Sequence, residues 1–159
     1  MPQAPFASPL DVQSLVDAAV PLLVAYALAL PIGWDRERRE RSAGLRTFPL
    51  VAMASCGYIL VGRSFAENDP SALARVVEGL VTGVGFIGGG SILKDRGHVH
   101  GTATAASLWV TAAMGASVAI GRIDIGVVLS AITFATMRMV TPIKRAIKPP
   151  EDADVEELE

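Results

Sequence analysis

Cysteine is nearly absent from this 159-residue chain, which holds a single one at position 56. A lone cysteine forms no intrachain disulfide and no cysteine-based metal site, so we expect Cys56 to be a small buried apolar residue. Charged residues are also scarce, at 19% against about 25% in soluble domains. A Ser-His-Asp set, a zinc-binding HExxH motif and a phosphate-binding Walker loop are missing as well. The sequence therefore argues against an enzyme and against a soluble domain.

The scarcity of charge leaves five long apolar segments. A membrane-spanning helix needs about 20 mostly apolar residues, with a range of about 17–25. Five such segments in one short chain would leave little polar surface to face water. We therefore predict an all-α polytopic membrane protein with five transmembrane helices. The charge-free runs are Ala18 to Trp34, Thr47 to Gly62, Gly79 to Leu93, Gly101 to Gly121 and Ile125 to Met137.

Lysine and arginine alternate between the two sides that five hairpinned spans would create. Cytoplasmic loops collect these residues, and they are frequent in DRERRERSAGLR, in KDRGHVH and in IKRAIK after the fifth run. The other side carries Arg63, Arg75 and Arg122, and the stretch 1–17 has no basic residue. We therefore place the N-terminus outside and the C-terminus in the cytoplasm. Because the basic n-region of a cleaved signal peptide is missing, the first span is expected to stay in the mature protein.

Glycines in the third span have the spacing G-x-G-x-x-G at Gly83, Gly85 and Gly88. A dinucleotide-binding turn also needs a preceding strand and an acidic residue about 20 positions further on. The chain has SLWVTAA at that distance, so we discard the nucleotide interpretation. In a membrane, small residues four apart let two helices approach closely. We predict that five glycines pack this span against a neighbouring helix: Gly79, Gly83, Gly85, Gly88 and Gly89.

The third span also carries a charged pair. Arg75 and Glu78 are three residues apart and share a helix face, which continues through Thr82 to the glycines. Charged groups in a span usually face the bundle interior or a watery cavity. Two interpretations remain open at this point. The pair either lines a polar pocket between helices or forms an ion pair near the outer surface.

Three blocks of the chain resemble the MgtC/SapB family of bacterial inner-membrane proteins. They are IGWDRERRERSAGLRT, RVVEGLVTGVGFIGGGSIL and HGTATAASLWVTAAMG, in that order. The resemblance implies five membrane helices and a role in magnesium homeostasis, acid tolerance or survival inside host cells. It also implies a protein that modulates other membrane machinery, including the proton-driven ATP synthase. This chain departs from the family pattern at Glu78, where relatives usually have a small residue, and at Thr102 and Ala103.

Candidate functional residues follow from these blocks. In the first connection they are Asp35, Arg36, Arg39, Arg46 and Thr47, whose surplus positive charge would face lipid phosphates or a partner, or would only orient the chain. In the third span they are Arg75, Glu78 and Thr82. In the fourth they are Thr102 and Thr104, expected with Ser107 to cap the helix, and Trp109, expected at the interface or in a pocket. His98 and His100 make a weak metal site, so we expect no metal and no cofactor.

Three segments are predicted: an extracytoplasmic stretch 1–17, a membrane domain 18–141, and a tail 142–159. Six of the last nine residues are acidic, and the tail is expected to be disordered. Many relatives carry a cytoplasmic domain there, so we expect a short form. The favoured function is a non-enzymatic, inner-membrane modulator of another membrane protein in magnesium homeostasis or stress and virulence adaptation. The alternative is a transporter or channel for magnesium or another cation. Expected partners are the lipid bilayer, a membrane protein and a possible second copy, with no nucleic acid.

Overall fold

The computed structural model describes residues 12–38, 43–66, 69–95 and 98–147. That part of the chain forms five α-helices and one short β-hairpin. The elements are α1 (Val12–Glu37), α2 (Thr47–Ala66), α3 (Pro70–Gly90), β1 (Leu93–Asp95), β2 (His98–His100), α4 (Thr102–Ala119) and α5 (Ile123–Ile147). The predicted all-α, five-helix architecture is confirmed, since all five helices are long and apolar enough to cross a membrane. The acidic end of the predicted tail lies outside the described residues.

Local signals set the helix ends. Asp69 caps α3 by accepting a hydrogen bond from the backbone N–H of Ser71 at 2.9 Å, and Pro70 occupies the first turn, where a missing N–H is harmless. Gly101 before α4 and Gly121 before α5 have φ of +88° and +83°, a backbone conformation that glycine adopts without strain. The hairpin pairs β1 with β2 antiparallel, with Lys94 opposite Val99.

Short connections make successive helices antiparallel. The ends of α1, α3 and α5 therefore lie with the starts of α2 and α4 at one end of the bundle, which we call the hairpin end. The hairpin between α3 and α4 belongs to the same end. Asp35, Arg36, Arg46 and Thr47 of the first connection are thereby brought to this end together with the start of α4.

Helix α4 occupies the centre of the bundle and contacts each of the other four helices. In its span, 56% of the residues are buried, against 11% in that of α3. Ser107, Thr111, Gly115 and Ala119 recur every four residues and are all buried. A Cβ on Gly115 would lie 2.0 Å from the carbonyl oxygen of Ala52 in α2. Small side chains on α4, above all Gly115, therefore permit a close approach of α4 to α2.

The glycines of α3 do not pack as the sequence predicts. A Cβ on Gly79, Gly83 or Gly89 would meet no atom within 4 Å, and one on Gly85 would meet only Trp109 Nε1 at 3.9 Å. The expectation that these residues press α3 against a neighbour of the same chain therefore needs correction. Gly88 differs, because its Cβ would lie 3.5 Å from the carbonyl oxygen of Ala105 in α4. The other glycines border open grooves and make no close contact, because α3 packs on its neighbours through larger apolar side chains.

Candidate functional site

Two charged residues are buried at the end of α1. Asp35 is 5% exposed and Arg36 is 4% exposed. Asp35 Oδ2 lies 3.7 Å from Arg36 Nη2. Burial of charged groups is costly unless they are paired and hydrogen-bonded. The two side chains therefore form the most constrained polar feature of this end of the bundle.

Helix α5 completes this arrangement. Arg138 Nε lies 3.6 Å from Asp35 Oδ1, and Arg36 Nη2 donates to Met137 Sδ at 2.8 Å. The Arg138 guanidinium also lies 5.6 Å from the ring centre of Phe134, within the range of a cation–π contact. We call Asp35, Arg36, Met137 and Arg138 the Asp35 cluster. Met137 and Arg138 are not predicted as site residues by the sequence, because their proximity to Asp35 depends on how α5 packs on α1.

Glycines shape the connection that follows. A Cβ on Gly33 would lie 3.2 Å from the carbonyl oxygen of Gly44, so the chain folds back tightly on the end of α1. Glu37 Oε2 accepts a hydrogen bond from the backbone N–H of Leu45 at 3.0 Å. Gly44, the first residue of the Gly-Leu-Arg-Thr motif, therefore lies where the chain packs back against the end of α1. The candidate Arg39 lies outside the described residues.

Arg46 and Thr47 lie at the mouth of a groove between α2 and α3. The groove has a volume of about 750 Å³, and its floor includes Gly79 and Gly83. Arg46 is exposed and Thr47 is half-buried. The remaining lining is mostly apolar, with Tyr58 among its larger side chains. This places a cation at the hairpin end of an apolar groove.

The start of α4 is set by its backbone and not by hydroxyl caps. Its N-cap is Gly101, and no side chain makes a capping hydrogen bond there. Thr102 is exposed, whereas Thr104 is buried. Ser107 Oγ donates backwards to the carbonyl of Thr104 at 2.9 Å. The predicted capping role is therefore wrong, because a left-handed glycine already turns the chain into the helix.

Trp109 lies between α3 and α4, with 53% of the residue exposed. It lines a cavity of about 340 Å³ that is otherwise formed largely by aliphatic side chains, including Ile59, Leu80 and Val84. It is seven residues into α4, about 10 Å along the helix axis. Of the two roles considered for Trp109, this position agrees with lining a pocket.

Arg75 does not pair with Glu78 in this structure. Its guanidinium instead contacts Asp69 Oδ2 at 2.5 Å and also the hydroxyl of Ser71. Hydrogen bonds from Ser71 and Arg75 lower the pKa of Asp69 from 3.8 to about 2. The expected Arg75–Glu78 pair is therefore replaced by a contact with the capping residue at the start of α3. Thr82 is exposed, and its hydroxyl donates to the carbonyl of Glu78 at 2.9 Å.

The predicted site residues thus fall into separate groups. Asp35 and Arg36 join α5, Arg46 and Thr47 face the α2–α3 groove, and Arg75, Glu78 and Thr82 are exposed on α3. The described residues contain no group of three His, Cys, Asp or Glu side chains placed to hold a metal ion. The dominant polar site is the arginine-rich hairpin end of a membrane bundle.

Five long apolar helices with this arginine-rich end define a small multi-pass membrane protein. A match to the MgtC family covers residues 22–146, so the chain belongs to that family, as the resemblance indicated.

Three relatives illustrate the similarity. "Protein SrpB" of Synechococcus elongatus is 40% identical over 129 residues, which cover 73% of this chain and 70% of SrpB. "Putative magnesium transporter YhiD" of Escherichia coli K12 is 37% identical over 127 residues, covering 74% and 58%. "Protein MgtC" of Brucella abortus is 34% identical over 134 residues, covering 84% and 56%. The chain therefore spans less than two thirds of the length of YhiD and MgtC. No solved structure gives a significant match.

Proposed function

We propose that this chain is a non-enzymatic protein of the bacterial inner membrane that modulates another membrane protein in magnesium homeostasis. The names of its relatives MgtC and YhiD support the connection with magnesium. The partner would be an ion-transporting machine, such as the ATP synthase or a transporter. The hairpin end, with exposed Arg46 beside the α2–α3 groove, is the contact surface we favour.

The observation that carries this proposal is the state of Asp35. Its carboxylate lies between two guanidiniums, at 3.7 Å from Arg36 and 3.6 Å from Arg138. Magnesium requires oxygen ligands in near-octahedral geometry. A carboxylate already flanked by two cations is a poor ligand, because an approaching divalent cation is repelled by both arginines. The Asp35 cluster therefore fits a structural tie between α1 and α5 better than a step in a cation path.

The alternative is cation transport, which the name "Putative magnesium transporter" of YhiD favours. The open groove between α2 and α3 would then be the candidate route. Its lining is mostly apolar, with Arg46 at one mouth, and an arginine at the entrance opposes the passage of a cation. We therefore rank transport second.

Reconstitution separates the two functions. The purified chain is placed in liposomes that contain a magnesium-sensitive dye, and magnesium is added outside. We expect no entry above protein-free liposomes. The partner, an ATP synthase or a transporter, is identified by its co-purification with the chain from magnesium-starved cells and is reconstituted in the same way. Adding the chain should change the rate at which this partner hydrolyses ATP or transports its ion. Magnesium entry with the chain alone would establish the transport alternative.

A matched pair of arginine variants tests the contact surface. Arg46 and Arg122 are both exposed but lie at opposite ends of the bundle, and Arg122 is paired with Asp124 at 2.8 Å. We expect Arg46→Ala to impair growth at low magnesium and to weaken partner recovery. Arg122→Ala should leave both unchanged at equal protein levels. Equal effects of the two variants would remove the hairpin end from the proposal.

The orientation in the inner membrane is part of the same proposal. A reporter that is active only outside the cytoplasm should be inactive when fused after Glu159. The same reporter should be active when inserted after Asp69, between α2 and α3. The reverse pattern would place the arginine-rich end outside.

A further inference from the structure

The polar residues of α3 all lie on one line of the helix. Between Ser71 and Gly90, the polar side chains are Ser71, Arg75, Glu78 and Thr82, and the line continues through two glycines. The steps between them alternate between four and three residues, which is the spacing of a packing seam between two helices. We call this line the α3 seam: Ser71, Arg75, Glu78, Thr82, Gly85 and Gly89.

The α3 seam lies on the exposed side of α3, and its last two members, Gly85 and Gly89, also border a shallow pocket against Ala105 and Trp109 of α4. Its six members are all exposed. Helix α3 meets α2 and α4 through other residues, among them Val76, Leu80 and Val84. Of the two sequence-based interpretations, the polar pocket inside the bundle is therefore replaced by an exposed polar face that no other helix of the described chain covers.

The depth of this face makes exposure to lipid costly. Glu78 lies eight residues after Pro70, about 12 Å along the axis, and Thr82 lies about 18 Å along it. With the start of α3 at the membrane surface, both depths fall within a hydrocarbon core about 30 Å thick. Ionisable side chains at such depths almost always face protein or water. A second protein surface that supplies hydrogen-bonding groups would remove the conflict.

We propose that the α3 seam is the interface between two copies of this chain, related by a twofold axis perpendicular to the membrane. All copies insert with the same orientation, so their α3 helices are parallel and each residue lies at the same depth as its counterpart. Such an interface must be complementary to itself. The seam meets that requirement, because it carries a cation and, one layer deeper, an anion.

The charges pair across the axis. In parallel packing, a seam residue contacts members of the adjacent layer of the other helix. Arg75 of each copy then reaches Glu78 of the other, which gives two reciprocal ion pairs. Arginine has five N–H donors, and those used on Asp69 and Ser71 leave others for this contact. Glu78 thereby gains from a second copy the cation that Arg75 does not supply within one chain.

The other half of the seam suits close approach. Gly85 and Gly89 are four residues apart, as in helix pairs that pack backbone to backbone. A Cβ on Gly89 would meet nothing within 4 Å, and one on Gly85 would meet only Trp109 Nε1 at 3.9 Å, so this surface has room for a second helix beside α4. Phe86 flanks the seam and is 86% exposed, more than any other large apolar side chain of the described residues. A second α3 would cover it.

Disulfide trapping in native membranes tests the interface directly. In a Cys56→Ala background, a cysteine is introduced at Thr82 on the seam or at Val77, an exposed residue of α3 roughly 140° away from Thr82 around the helix. After treatment with a membrane-permeant oxidant, we expect at least about five times more dimer for Thr82→Cys than for Val77→Cys. If either variant fails to accumulate, Gly89→Cys and Gly90→Cys give the same comparison nearer the hairpin. Equal trapping at seam and control positions would overturn the proposal.

Co-purification of two differently tagged copies tests the ion pairs. We expect recovery of the second tag to fall by half or more when both copies carry Glu78→Gln. It should fall less when one copy does, because one reciprocal pair survives. Unchanged recovery in both cases would overturn the role of Glu78. Trapping of a different protein through Thr82→Cys, without a chain–chain dimer, would overturn the proposal in favour of a foreign helix. These outcomes do not depend on the proposed modulator function, whose tests use Arg46 and magnesium.

Discussion

The interior around α4 and the outer face of α3 have similar sequences and opposite environments. Both combine small residues four apart with scattered polar groups. In α4 these residues are buried, and Gly115 is pressed against the backbone of α2, whereas Gly79, Gly83 and Gly89 of α3 meet nothing within 4 Å. Small residues four apart therefore predict a helix surface that is suited to close packing. They do not show whether the neighbouring helix belongs to the same chain.

The largest difference is expected between two carboxylates. Asp35→Ala should lower the free energy of unfolding by about 3–5 kcal/mol, because Arg36 and Arg138 lose the buried anion between them. Glu78→Ala should change it by less than about 1 kcal/mol at dilutions where the chain is monomeric, because Glu78 is exposed. Thermal unfolding in detergent measures both. Similar losses for the two variants would show that Glu78 is as constrained as Asp35 within one chain.

Replacing glycine with alanine should change the stability of the fold in opposite directions at two positions. Gly115→Ala should destabilise the fold by about 1–3 kcal/mol, since the new methyl group overlaps the carbonyl of Ala52. Gly83→Ala should be neutral or stabilise the monomer by up to about 1 kcal/mol, because alanine favours helix and the space is open. This reverses the sequence-based expectation that Gly83 is intolerant of a larger residue. Denaturant titration of the two variants measures both changes and decides between the structure-based and the sequence-based expectation for Gly83.

Removing either of two hydroxyl groups on α5 should lower the free energy of unfolding by smaller and different amounts. Ser130 Oγ donates to the carbonyl of Leu28 at 2.7 Å and joins α5 to α1, whereas Thr136 donates within α5 to Ile132. Interhelical hydrogen bonds of this kind average about 0.6 kcal/mol in membrane proteins. Ser130→Ala should therefore cost about that much, and Thr136→Ala much less. A loss at Thr136 that matches the loss at Ser130 would contradict the assigned partners.

The smallest change in stability is expected at the start of α3 when the pH is lowered. The pKa of Asp69 is lowered from 3.8 to about 2, so its stabilising contact with Ser71 and Arg75 is complete above about pH 4 and is lost as the pH falls towards 2. Hydrogen exchange in the first turn of α3, corrected for its intrinsic pH dependence, should accelerate in that window. Asp69→Asn should abolish this pH dependence. Protection that already falls between pH 7 and 5 would identify a different group.

The helices could be predicted from sequence because hydrophobic length is a local property. Each charge-free run lies within or largely overlaps one helix, and the connections are too short to allow parallel neighbours. The hairpin was not predicted, since strands of three residues leave little periodic signal.

The site was harder to predict because its contacts are tertiary. The buried carboxylate of Asp35 was identified from the family motif, but its partner Arg138 is about a hundred residues away in sequence. Arg75 was assigned to Glu78 by helical spacing. It turns instead to Asp69, because the cap at the start of α3 offers an ionised carboxylate closer to the membrane surface. Spacing along a helix shows which residues share a face, but it does not show which carboxylate an arginine on that face will bind.

The closeness of Gly115 to Ala52 also determines how α4 is held along its axis. Three buried hydroxyls of α4, those of Ser107, Thr111 and Ser117, donate to carbonyls of α4 itself. These three therefore do not restrain the helix from sliding. A slide by one turn, about 5.4 Å, would bring Thr111 or Ala119 opposite Ala52, and each has a Cβ that this space excludes. The absence of one methyl group at Gly115 therefore helps to fix the height of the central helix by shape, together with the hydrogen bond that Arg63 Nη1 of α2 donates to the carbonyl of Ala119 at 2.7 Å.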